Sequence, residues 1–338
     1  MASRDARDDA SERSEGLDPV KNPYHIPGME APDDPLCPYL YDHEKYYVKV
    51  DSTQDEFDRF QRSIGPLGGF RAHGRLVVVT GKDGCGKTSL INRCAAWLSG
   101  QLGDRAQIFP LAASTLPHMS LRVRMEQVLE DLIYHLSSET SVVSEMHVQE
   151  LDRRLNELRD RLPQKDEDHH AGIETVYKYL LRALPSGQVG IIILPRSELG
   201  REIASYVGLA RLPRLVFFAE SRYGDDVRRS VQAGQGEGRP PLMLEVGPLN
   251  RDDGWLFANA RQGPDEAGRE IPLVTKQTMG KLLAQNSRSI KWLHALLYGV
   301  YKEFDDVPEV MASLKSREVT YEHFTDYFFR TAQPDGAS

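Results

Sequence analysis

The chain has 338 residues and a formal net charge of −8, a length that holds two domains or one large domain with an appendage. The acidic balance excludes a protein that grips nucleic acid through overall positive charge, and no nucleic-acid partner is indicated. Its three cysteines, Cys37, Cys85 and Cys94, give no disulfide framework; no apolar run reaches the roughly 18–20 residues of a membrane span, and the polar N-terminus lacks a signal core, so the expected location is the reducing cytoplasm, away from membranes.

Residues 1–36 are rich in charge, Pro, Ser and Gly. They bury too little to offset their ordering entropy, which predicts a disordered arm. The aromatic stretch CPYLYDHEKYYVKV (37–50) opens the ordered chain, and Asp51, Ser52 and Thr53 are candidate caps for a helix over 56–64 with Phe57, Phe60 and Ile64 on one face. Five short apolar runs follow: Leu76–Thr80, Ile108–Ala112, Gly190–Leu194, Leu215–Ala219 and Leu242–Val246. Each has strand length, and their near-continuous apolar character predicts a parallel sheet buried on both faces.

Between the second and third runs the periodicity turns helical. Val128, Leu129, Leu132 and Ile133 share one face, and Leu151, Leu155, Leu158 and Leu162 recur at spacings of three and four. The leucine row reads either as a helix packed on its own core or as a short coiled-coil or partner surface. Arg122, Arg124, Arg153 and Arg154 read as solvated helix faces, with a local basic patch as the alternative, and His169-His170, in a charged loop, as a solvated pair rather than a metal site. After Val246 the chain reads as wholly helical. Asn250 and Asp253 have capping-box spacing, and Ile290, Leu293, Leu296 and Leu297 form a 3–4 pattern.

The most specific feature is Gly81-Lys82-Asp83-Gly84-Cys85-Gly86-Lys87-Thr88, a complete G-x-x-x-x-G-K-[ST] phosphate loop set between an apolar strand and a helical pattern. Gly81, Gly84 and Gly86 let the backbone curl so that N–H groups converge on phosphate oxygens. The helix starting near Lys87 adds its positive end. Lys87 suits the β- and γ-phosphates, the Thr88 hydroxyl suits Mg²⁺, and Ser89 can reach the α-phosphate. Cys85 is either a small filler or a thiol activated by the helix terminus.

From this loop outward, about 56–330, the chain resembles the AAA+/STAND group of P-loop NTPases, in the branch of origin-recognition ATPases and signalling ATPases with an attached helical lid. The resemblance implies an α/β fold: a parallel five-stranded sheet in order 5-1-4-3-2 flanked by helices, then a smaller all-helical lid. It implies a core over 37–247 with a helical insertion at about 120–163, a lid over 248–331, and a flexible tail at 332–338. It implies ATP and Mg²⁺ as cofactors and a protein partner or homo-oligomer. RLVFFAESR resembles the strand-4 sensor segment, which would set Glu220, Ser221 and Arg222 near the γ-phosphate. EVGPLNRDDGWLFANA resembles the passage into the lid. Asn286-Ser287-Arg288 stands where an Asn-Pro-Arg starts a lid helix, making Arg288 the lid arginine. Arg222, Arg228 and Arg229 are candidate fingers toward a neighbouring subunit. No N-K-x-D segment for guanine recognition is present.

One position departs from the pattern. The strand VGIIIL usually ends in an acid that holds Mg²⁺, and here Pro195 follows it. Either Glu198 reaches back, or Glu220 on the neighbouring strand supports the metal or the attacking water, or nucleotide is bound and hydrolysed slowly or not at all. Losing a water-positioning or acid–base group typically costs roughly 10²–10⁴-fold in rate. Two roles are therefore expected of such a chain. One is a nucleotide-dependent switch or assembly ATPase with slow turnover; the other is a degenerate scaffold that recruits a partner through the helical insertion.

Overall fold

The computed structural model describes residues 22–50, 52–111, 119–138, 143–160, 166–197, 199–233, 240–262, 271–284, 288–306 and 318–332. Five strands form a parallel sheet: β1 (Arg75–Thr80), β2 (Ala106–Pro110), β3 (Val189–Ile193), β4 (Leu215–Ser221) and β5 (Leu242–Glu245). Their order is β2-β3-β4-β1-β5, the expected order read from the other edge.

Side chains alternate along each strand, so each strand feeds two cores. Val77, Val79, Ile191, Ile193, Val216 and Phe218 face one side, against α1 (Thr53–Ser63) and α2 (Lys87–Leu102). Leu76, Val78, Ile192, Phe217 and Ala219 face the other. There they meet α3 (Leu121–Ser138), α4 (Glu145–Asp160), α5 (Asp166–Ala183), α6 (Gly200–Leu209) and α7 (Gly224–Ala233). Burial on both faces accounts for the unbroken apolar runs. Ser52 offers α1 no side-chain cap, and Asp51 lies outside the described residues.

The leucine row belongs to the second of these cores. Leu151, Leu155 and Leu158 are each buried there beside Val128, Leu132 and Tyr177; Leu162 lies outside the described residues. The alternative of a partner-recruiting leucine surface is therefore corrected. Two charged readings are corrected with it. Arg124 is buried, its Nε 2.7 Å from the buried Glu202 carboxylate, because α3 presses this position against α6. His169 lies in α5 and is also buried, 3.8 Å from Glu126.

Beyond β5 lie α8 (Arg251–Asn259), α9 (Lys276–Leu283), α10 (Ile290–Asp306) and α11 (Tyr321–Ala332). Asn250 and Asp253 form the full capping box on α8. These helices enclose a third core around Phe257, Met279, Leu293, Leu297, Tyr301 and Phe324. The region is not wholly helical. Leu273–Val274 (β6) and Glu318–Val319 (β7) pair in parallel, strands too short to leave a periodic signal.

The expectation of disorder through residue 36 is corrected for residues 22–36, while residues 1–21 lie outside the described residues. Residues 22–36 are in turns, and with 37–50 they form a strap joining the sheet domain to the helical one. Tyr24 is wholly buried in the third core, its hydroxyl 3.2 Å from the Ala258 carbonyl. Asn22 donates to Tyr298 O at 2.9 Å. At the other end Leu36 N donates to Ser89 Oγ at 3.1 Å, and Asn92 Nδ2 to Leu36 O at 2.8 Å. A few anchors of this kind, the hydrogen bonds each worth about 0.5–1.5 kcal/mol, order a segment whose average composition predicts disorder.

Because the leucine row is core, Leu155→Ala is expected to cost about 2–5 kcal/mol, read as a lower denaturant midpoint. A change within about 0.5 kcal/mol would instead mark the row as a surface.

Candidate functional site

β1 runs into the 81–88 loop, and the loop runs into α2, whose N-cap is Gly86. The path cannot be taken by ordinary residues. Gly81 has φ 152°, and a Cβ there would lie 2.3 Å from Val246 O; Gly84 has φ 76°, and its Cβ would lie 2.7 Å from Ser289 Oγ. Side chains rarely adopt such φ values. The loop is thus wedged between the end of β5 and the start of α10. Lys291 N donates to Gly84 O at 3.1 Å, tying the helical domain to the loop directly.

Lys87 is buried, and its ammonium donates to Gly81 O and Lys82 O at 3.0 Å each. Thr88 Oγ1 donates to Glu220 Oε2 at 2.7 Å. Glu220 reaches it because Val216, Phe218 and Glu220 share the face of β4 that looks at α2. On the same face of the next strand, after Ile191 and Ile193, comes Pro195. The pairing of β3 with β4 continues past the strand, through Leu194 N to Phe218 O at 2.8 Å and, beyond Pro195, through Ser197 N to Glu220 O at 3.2 Å. The acid opposite the Thr88 hydroxyl is thus supplied by β4.

A cavity of about 320 Å³ opens over the loop, bounded by α2, the strap and α10. Asp83, Gly84, Gly86, Lys87, Thr88, Ser89 and Glu220 line it, while Gly81, Lys82 and Cys85 shape the loop beneath. Cys85 is 2% exposed, which favours the filler reading. Ser89 Oγ already accepts from Leu36 N, and Tyr47 Oη donates to Ser89 O at 2.6 Å. Glu198 lies outside the described residues. Arg222 is stacked on Tyr223, with Nη1 3.9 Å from Asp83, and is not part of the cavity wall. Arg228 and Arg229 pair with Glu245 and Asp226.

Arg288 is not brought to the wall either. Its guanidinium stacks on Trp292, 4.7 Å from the ring centre, and its backbone bridges to Leu249. The helical domain presents other residues: Lys291, paired with Asp33 of the strap at 2.6 Å, together with His294 and Arg261. Arg196, one residue beyond Pro195, also lines the cavity. None of these four has a motif, and only the fold assembles them. Arg261 stacks on Phe257 and donates Nη2 to Tyr46 O at 3.1 Å. Its buried Nε and Nη1 find no hydrogen-bond partner among the described residues. Burial, more than any charge, pushes its pKa down to about 10.

A Mg²⁺–triphosphate fits this set. The cradle has no room for a Cβ at Gly81 or Gly84, Lys87 supplies a buried cation, and Thr88 and Glu220 offer adjacent oxygens for a metal. Among the described residues no cluster of three or more His, Cys, Asp or Glu side chains forms a protein-only metal site. That accords with a Mg²⁺ held by one or two protein oxygens plus phosphates.

No protein-family model matches the sequence, and no curated relative does. Solved structures match in fold. The ORC2 protein of Aeropyrum pernix, solved as ADPNP–ADP complexes, aligns with a TM-score of 0.51 at 8% identity, over 87% of this chain and 72% of its own. Cdc6p of Pyrobaculum aerophilum aligns with a TM-score of 0.50 at 11% identity, over 88% of this chain and 73% of its own. The chain has the fold of an AAA+ P-loop NTPase core followed by a helical region. Among the described residues no helix is long and apolar enough to cross a membrane.

His294 gives the cavity wall a measurable pH signature. Its Nε2 donates to Tyr24 O at 2.9 Å. Burial first, and the nearby Arg261 charge second, push its pKa from 6.5 down to about 4. Between those values the unfolded chain binds a proton that the folded chain does not. Stability is therefore full above pH about 6.5 and falls as pH drops toward 4, by about 3 kcal/mol at most. His294→Gln keeps a donor and removes the titration, so its acid limb, followed by urea unfolding at several pH values, is expected to be flatter than the wild type's.

Proposed function

We propose that this chain binds ATP with Mg²⁺ in the cavity above the 81–88 loop and uses it as a conformational switch, with slow turnover. The observation that carries the reading is the Thr88–Glu220 hydrogen bond at 2.7 Å, beside the buried Lys87, on the wall of that cavity. Lys87 and the loop amides hold the β- and γ-phosphates. Thr88 is the metal ligand and Glu220 its supporting acid, taking over from the position of Pro195. Mg²⁺ supplies charge neutralisation for the phosphates when bound. The A. pernix neighbour, solved with adenine nucleotides, supports adenine as the base.

Slow turnover follows from how the acids are committed. Glu220 is engaged by Thr88. Asp83 faces Arg196 and Lys87, Asp33 faces Lys291, and Asp34 accepts the backbone N–H groups of Glu30 and Ala31. As the structure stands, each described carboxylate of the wall already has a partner. From a typical kcat of about 10 s⁻¹, a loss of 10²–10⁴ leaves about 10⁻¹–10⁻³ s⁻¹. The switch reading draws on the strap and on α10, which touch the loop from both sides. Filling the cavity changes the restraint on both, and thereby on a protein partner or a second copy of the chain.

Calorimetric titration of the full chain tests this. ATP with Mg²⁺ should bind, Lys87→Ala should abolish binding, and Glu220→Gln should remove most of the gain in affinity that Mg²⁺ confers. Hydrolysis by the wild type faster than about 1 s⁻¹, lost in Lys87→Ala, would overturn the slow-turnover part. Identical sedimentation with and without ATP would overturn the switch.

A further inference from the structure

Asp83, inside the 81–88 loop, is bracketed by cations. Arg196 Nη2 lies 2.6 Å from one carboxylate oxygen, Lys87 Nζ 3.7 Å from the same oxygen, and Arg222 Nη1 3.9 Å from the other. Of the two arginines only Arg196 lines the cavity. Its backbone is firmly held. Arg124 Nη2 donates to Arg196 O at 3.2 Å, Ser197 N donates to Glu220 O at 3.2 Å, and Ser197 Oγ donates to Glu202 Oε2 at 2.7 Å. Arg124 and Glu202 are themselves a buried pair. The side chain is 41% exposed.

Glu220 and Arg196 stand at the carboxyl ends of adjacent strands, where an open parallel sheet presents its ligand. A polyphosphate gripped by Lys87, with its metal at Thr88 and Glu220, directs its terminal group toward this end. We propose that Arg196 reads the terminal phosphate. With a diphosphate it stays on Asp83; with a triphosphate it moves from the carboxylate to the γ-phosphate, so that the chain distinguishes nucleoside triphosphates from diphosphates through this residue. The inference rests on the nucleotide-binding reading above.

Magnitudes favour the exchange. An exposed Asp–Arg pair is worth about fivefold in an equilibrium constant at most. A guanidinium–phosphate contact with two parallel hydrogen bonds is stronger, about 10–100-fold. A terminal phosphate also repels the Asp83 carboxylate, which loosens the pair further.

The test is titration of the full chain with Mg²⁺ and either ADP or ADPNP, followed by calorimetry. The wild type should prefer ADPNP by at least about 10-fold. R196A should lower ADPNP affinity about 10–100-fold and ADP affinity by about threefold or less, closing the gap. R196K should keep only part of the preference, because a point charge replaces a fork. D83N should raise ADPNP affinity by up to about fivefold and keep the preference. Equal affinities in the wild type, or equal losses for both ligands in R196A, would overturn the proposal while leaving nucleotide binding intact. Binding of neither ligand by the wild type would overturn the nucleotide reading itself. Should R196A fail to fold, D83N decides alone, since a smaller ADPNP preference there is the opposite of what Arg196 released from Asp83 must produce.

Discussion

The pairing of β1 with β4 governs the site. Val79 stands opposite Glu220 and Thr80 opposite Ser221, so the two central strands end together, where the 81–88 loop turns into α2. Alternation along β4 then forces Glu220 toward α2, the side on which Thr88 emerges. A register slip of one residue would turn Glu220 to the opposite face and bring Ser221 to Thr88. Burial of β1 and β4 on both faces makes such a slip prohibitive. The short hydrogen bond between the hydroxyl and the carboxylate is therefore a consequence of sheet packing rather than of any local motif.

The same logic accounts for Pro195. An acid that is to meet the Thr88 hydroxyl need only arrive on the α2 face at the carboxyl edge of the sheet, and neighbouring strands can deliver it equally well. Once β4 delivers it, the end of β3 can carry a proline and then an arginine. That edge thereby carries an acid beside a base. The buried Arg124–Glu202 pair behind it resists rearrangement, because separating two desolvated charges leaves each uncompensated.

Much of this was legible in the residues. Five apolar runs of strand length yielded the five strands, and a contiguous motif yielded the loop. Helical periodicity located α3 and α4 but not their use: a leucine row looks the same whether it faces its own sheet or a partner. What stayed hidden depends on distance in the chain. Glu220 meets Thr88 across 132 positions, and nothing local to either forecasts the meeting. Lys291 and Arg288 lie three residues apart near the start of α10, and only the angle at which that helix meets the loop decides which one reaches the cavity. Composition hides the strap because it averages over a segment, whereas a few anchors such as Tyr24 and Leu36 fix it.

The strap also bears on how the molecule is made. It precedes the sheet in the chain, yet Asn22 bonds Tyr298, 276 residues away, and His294 bonds Tyr24 across 270. Contacts of such long sequence separation form late, because loop closure must precede them. During synthesis the sheet and its phosphate-type loop can assemble while the cavity still lacks two of its walls. A polypeptide truncated before α10 would possess the loop without the wall that Ile290, Lys291 and His294 supply. Closure of this cavity thus depends on both ends of the described chain having come together.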